Sequence, residues 1–178
     1  MLPKLEKQYA ALEDRRKKLF EELSALSEAQ LNFRPAPEAW SIVEVLNHLF
    51  TAEQGALGYM RKKNQAGQLP RAGRMASFRS GLLKFVLWLP LKYKAPRRLV
   101  ETQTQFPFPE IVRRWEALRR ELHQFMETLP PERIRATIFR HPFGGYFNLY
   151  HTLAFFQAHF DHHQRQIRRI RQSPNFPE

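Results

Sequence analysis

The chain has no cysteine among its 178 residues. That absence removes thiol nucleophiles, disulfide frameworks, iron–sulfur clusters and cysteine-type zinc sites. Long apolar runs are missing too. A membrane span needs ~18 apolar residues, and the longest candidate, Gly81 to Leu91, contains Lys84 and Pro90. The opening MLPKLEKQYA has no apolar signal core, so the expected compartment is the cytoplasm. Acidic residues vanish from 54–100, where eleven Lys and Arg stand unopposed and supply almost all of the net +12. Such a field attracts anions, whether nucleic acid, acidic lipid or a carboxylate-bearing small molecule. What is present, 43% apolar residues in 178, suffices for one domain over 1–178 whose core needs no covalent staples.

Apolar periodicity predicts helices. Leu5, Tyr9, Leu12, Leu19, Leu23 and Leu26 recur at three- and four-residue spacing, which predicts a helix over 3–27. Ser41-Ile-Val-Glu44 has the form of a capping box, in which each side chain satisfies a backbone N–H at the helix start. It opens a second helix over 41–64 through Val45, Leu49, Ala52, Ala56 and Tyr59. Ile111, Trp115, Leu118, Leu122, Phe125 and Leu129 predict a third over 108–129, stopped by Pro130-Pro131. Leu149, Leu153, Phe156, Phe160, Ile167 and Ile170 predict a fourth over 148–172, and a shorter apolar run predicts one more near 78–90. HPFGGYFN, before the fourth helix, reads as a turn. The fold class is therefore all-α: a four-helix bundle with a short extra helix in the crossover between helices two and three.

Seven histidines are present, and His159 and His163 stand out. Four residues apart on a helix, they lie one above the other and are able to aim ring nitrogens at one point. The apolar stripe passes through or beside both, so both face the core, where an unpaired polar group costs ~1–3 kcal/mol. His48, between Val45 and Leu49, is placed to supply a third nitrogen. Two readings follow: a metal group, or core imidazoles hydrogen-bonded to backbone carbonyls. Three neutral imidazoles with no fourth protein ligand keep a coordination position open, the catalytic rather than the structural arrangement. His162, ~100° around the helix from each neighbour, reads as a surface residue. His123 reads as solvated, His141 as part of the turn and His151 as opening helix four.

Trp40-Ser-Ile-Val-Glu-Val-Leu-Asn-His48-Leu49, followed by Ala52-Glu53, resembles the second-helix signature of the DinB-like (DinB/YfiT) superfamily. His141-Pro-Phe-Gly144 and His159-x-x-His162-His163-x-x-Gln166-Ile167 resemble its loop and fourth helix. The resemblance spans nearly the whole chain. It implies a four-helix bundle, often a homodimer, holding one divalent metal (zinc or nickel) through His48, His159 and His163. It also implies relatives that are S-transferases or isomerases using low-molecular-weight bacterial thiols, or metal-dependent hydrolases. Where many relatives have Arg-Gly between the last His and the Gln, this chain has Gln164-Arg165, a change expected to alter the local surface and possible dimer contact but not the metal. Glu53 and Gln166 are candidates to orient a ligand or a water. Glu44 is expected to cap its helix, Asn47 to point elsewhere, and Asp161 to lie off the core stripe. Phe143, Tyr146 and Phe156 are candidates to line an apolar pocket for a small-molecule substrate.

The leading functional expectation is a metal-dependent thiol S-transferase or hydrolase. The alternative is a non-catalytic protein that uses residues 54–100 to bind a membrane or another anionic partner. A third reading keeps the metal for stability alone. No helix-turn-helix, zinc-finger, RRM or KH signature is present, so sequence-specific nucleic-acid binding is not expected. Leu82-Leu83 and Phe85 to Leu89, set among Lys and Arg, resemble an interfacial helix, although a crossover helix covering the bundle is the preferred reading. The basic segment is expected to form a positive surface near the mouth of the site.

Overall fold

Proline and serine set where the helices begin. The computed structural model describes residues 2–89 and 105–178. Helix α1 (Pro3–Ser24) starts on a proline, whose missing N–H is no loss in the first turn. It buries Leu5, Leu12, Leu19 and Leu23. The expected run to residue 27 stops early because Ser27 opens a separate helix, α2 (Glu28–Asn32). Ser27 Oγ accepts from Gln30 N at 3.2 Å and Gln30 Oε1 accepts from Ser27 N at 2.9 Å, a second capping box.

The Ser41–Glu44 box closes at 3.3 and 2.8 Å and starts α3 (Ile42–Asn64). Arg61, Lys62 and Lys63 in its last turn complement the helix dipole. Helix α4 (Arg74–Trp88) follows, then α5 (Phe108–Thr128) after Pro107. Pro131 ends the α5 pattern and starts the short α6 (Pro131–Arg135). The segment expected to be a turn is a hairpin of β1 (Phe139–His141) and β2 (Gly145–Phe147), paired Phe139 to Phe147 and His141 to Gly145. Gly145 takes φ +74°, and a Cβ on Gly144 would stand 2.5 Å from the Phe147 ring. Both positions thus demand glycine. Asn148 caps α7 (Leu149–Arg171) by accepting from His151 N at 3.0 Å.

The four long helices α1, α3, α5 and α7 enclose one core containing Leu46, Leu49, Phe50, Trp115, Phe156 and Phe160. Helix α4 lies across α7 and the hairpin. That placement corrects the expectation for His162. It is 8% exposed, and its Nδ1 donates to the Leu87 carbonyl at 2.9 Å because α4 covers its face of α7. Arg165 Nη2 donates to the same carbonyl at 2.7 Å and to that of Trp88 at 3.4 Å, so the departure at 164–165 gives α4 a cationic C-terminal cap. The described part of the basic segment spreads from the end of α3 through α4; its residues 90–100 lie outside the described residues. No helix among the described residues is long and apolar enough to cross a membrane.

One buried ion pair locks α3 to α5. Arg119 Nε and Nη2 donate to the two oxygens of Glu53 at 2.8 and 2.7 Å, and Trp115 Nε1 adds a third bond at 2.8 Å. Burial raises the Glu53 pKa, while the Arg119 charge and these hydrogen bonds pull it back. Arg119→Leu should strand the carboxylate and cost about 3–5 kcal/mol in a urea titration. Adding Glu53→Leu should recover part of that loss. Equal stability of Arg119→Leu and the parent would show that the pair is not what joins the two helices.

Candidate metal centre

Three imidazoles meet where α3 faces α7. His159 and His163 stand one turn apart on α7, and His48 projects from α3. His159 Nε2 lies 3.2 Å from His48 Nε2 and 3.1 Å from His163 Nε2. All three ligand atoms fall within 4.8 Å of one another. His48 keeps partial exposure, so the group sits at the edge of the core.

The surroundings fix the rings. Gln166 Oε1 accepts from His163 Nδ1 at 2.8 Å. An amide oxygen only accepts, so the His163 proton resides on Nδ1 and Nε2 presents a lone pair to its neighbours. The Trp40 ring stacks on His163 at 6.3 Å and 13° and tilts against His48 at 5.1 Å. Phe155 stacks on His159 at 5.2 Å and 19°. Burial, with a contribution from His162, lowers His48 to about 4. Burial and the nearby His48 lower His163 to about 3, against the Gln166 hydrogen bond. Burial and the other two rings hold His159 well below 6.5. All three are neutral at pH 7, the form that binds metals.

The family model of the DinB superfamily matches residues 11–167. The chain belongs to the DinB superfamily. No curated protein and no solved structure matches it. The matched span of this DinB-superfamily protein includes His48, His159, His163 and Gln166. The residues present fit a divalent ion: three neutral nitrogens, no carboxylate within the group, and separations suited to metal–nitrogen bonds of ~2.0–2.1 Å.

The remaining candidates are distributed. Glu53 is engaged by Arg119 and Trp115, and its hydrogen bonds go to them rather than to a histidine. Glu44 caps α3 and pairs with Arg34. Asp161 pairs with Arg15 at 3.0 Å. Asn47 is fully buried and bonds Phe106 in both directions at 2.9 Å. His123 lies between Glu6 and Glu127 on the surface. His151 Nε2 contacts Ser77 Oγ at 3.2 Å. His141 is buried, and its Nδ1 accepts from Phe143 N at 3.2 Å and Gly144 N at 2.9 Å, tying the hairpin loop. Phe156 lies in the core, Phe143 is 91% exposed at the hairpin tip, and Tyr146 lies under Arg140. No ring contact joins these three among the described residues. Trp40 and Phe155 also neighbour the group, and neither carries a metal-ligating atom that a motif would mark. Phe155 was readable, since 155, 159 and 163 share one helix face.

Depressed histidine pKa values set the pH response of the metal-free protein. Below pH ~6.5 the unfolded imidazoles bind protons and the folded ones do not. Stability should therefore fall as pH drops from ~6.5 toward the folded values, by up to ~1.4 kcal/mol per pH unit for each proton. His159→Phe should flatten this slope in urea titrations between pH 7 and about 4.5. A parent slope no steeper than that of the variant would contradict the reading.

Proposed function

We propose that His48, His159 and His163 hold one divalent metal, zinc or nickel, and that the protein is a metal-dependent enzyme acting on a small molecule. Its reaction is thiol S-transfer or hydrolysis. The observation supporting this reading is that His159 Nε2 stands 3.2 Å from His48 Nε2 and 3.1 Å from His163 Nε2, all three ligand atoms lying within 4.8 Å of one another with no anionic ligand among them. Held by these three neutral nitrogens, a divalent ion would supply Lewis acidity, lowering the pKa of a thiol or a water brought to it.

The chain's own residues supply the frame. His48, His159 and His163 offer unprotonated nitrogens, Gln166 holds the His163 ring, and Trp40 and Phe155 keep an apolar wall on either side. Glu44, Glu53 and Asp161 are each occupied by arginine, so these carboxylates are not free to take the proton. A substrate thiol bears the nucleophilic sulfur that a chain without cysteine cannot provide.

Two variants test the reading. His163→Ala should abolish metal retention and turnover yet leave a helical bundle, because stability resides in the apolar stripes. The assay is metal analysis of untagged protein, circular dichroism, and a panel of electrophiles and hydrolytic substrates offered with and without bacterial thiols. Equal turnover by metal-loaded, metal-free and His163→Ala protein would overturn the proposal, as would no turnover by the loaded form. Gln166→Ala should weaken metal affinity by roughly 10–100-fold without unfolding the protein, read by competition with a chelator. Unchanged affinity would remove Gln166 from any positioning role.

A further inference from the structure

Helix α4 carries its largest apolar side chains on the wrong side for a helix that merely covers a bundle. Toward α7 and the hairpin it turns Ala76, Ser80, Leu83 and Leu87, two small residues and two leucines. Away from them it exposes Met75, Phe78, Leu82, Phe85 and Trp88, each between 52% and 67% accessible. Positions 75, 78, 82 and 85 share a helix face, and Trp88 extends the stripe by stacking on Phe85 at 6.0 Å. A contiguous exposed stripe of this kind marks an interaction surface.

Charge selects what covers it. Arg79 follows Phe78 and Lys84 precedes Phe85, so on a helix turning ~100° per residue they flank the stripe on opposite sides. Arg74 lies at its N-terminal end, and none of the three pairs with an acidic side chain among the described residues. A second copy of the same face would bring a second set of cations, with no acid anywhere in 54–100 to meet them. The 15-residue helix is also too short to cross hydrocarbon: at 1.5 Å per residue it reaches ~22 Å of the ~30 Å required. Lying flat on an anionic bilayer satisfies both features. The apolar side chains enter the acyl boundary, Arg79 and Lys84 reach up to headgroups, and Trp88 sits at the interface.

We propose that the outward face of α4 docks this protein onto an anionic lipid surface. The inference is independent of the metal reading, since it uses none of the histidine group. Its test mixes the full chain with vesicles of phosphatidylcholine alone, or with phosphatidylglycerol at roughly 7:3. The protein should cosediment with the anionic vesicles, and much less with the neutral ones. Trp88 emission should shift to the blue, a change that Trp88→Phe removes. Phe78→Ser with Phe85→Ser should lower partitioning at least ~tenfold. Arg79→Gln with Lys84→Gln, or about 0.5 M NaCl, should also lower it. Thermal unfolding of each variant, alongside the parent, confirms that these exposed substitutions leave the bundle folded. Absence of binding to anionic vesicles overturns the proposal. So does binding that the paired Phe substitutions leave intact. A dimer in light scattering that Phe78→Ser with Phe85→Ser dissociates would assign the face to a second copy of the chain instead.

Discussion

A carboxylate buried in a helical bundle is tolerable only when cations and donors meet it, and Glu53 is met by Arg119 and Trp115. Those bonds allow one register of α3 against α5. Asn47, one and a half turns earlier, imposes a second condition by bonding both the N–H and the carbonyl of Phe106. Apolar packing alone would let α3 slide or rotate at modest cost. With two buried polar groups satisfied in only one alignment, it does not. His48 lies between these anchors, and its nitrogen reaches His159 because the helix bearing it is already fixed.

Much of this was legible in the chain. The leucine stripes place the four long helices, and Ser41 with Glu44 marks the start of α3. The side on which His48, His159 and His163 fall follows from helical period alone. Other features escaped for identifiable reasons. Ser27-Glu-Ala-Gln30 has the same capping form as the Ser41 box, but the leucine stripe running up to Leu26 hid the break between α1 and α2. Gly144-Gly145 announces a tight reversal, yet whether its flanks pair as strands depends on the helices that hold them. Glu53 sits on the core side of α3, but its partner lies 66 residues away on another helix. No local pattern connects the two. His162 is polar and off the stripe, and only the passage of α4 over that face buries it.

The same principle separates the two faces of α4. Helix α4 packs on α7 and the hairpin through Ala76, Ser80, Leu83 and Leu87. Hydrogen bonds to its last carbonyls supply the rest of the attachment. The broad apolar side is then free to serve another purpose. An amphipathic pattern in sequence reports that a face is apolar, not which neighbour it faces, and α4 shows how far those two statements differ.

One turn of α7 carries both the donors that hold α4 and a member of the histidine group. His162 and Arg165 grip the Leu87 carbonyl, and His163 lies between them in the chain. Any event that changes the free energy of that grip therefore acts one residue from a site histidine. Coupling of this kind is reciprocal: if occupancy of α4 alters affinity at the histidines, occupancy of the histidines alters affinity at α4 by the same factor. The surface helix and the histidine group thus share one turn of α7, with a single peptide carbonyl as the joint.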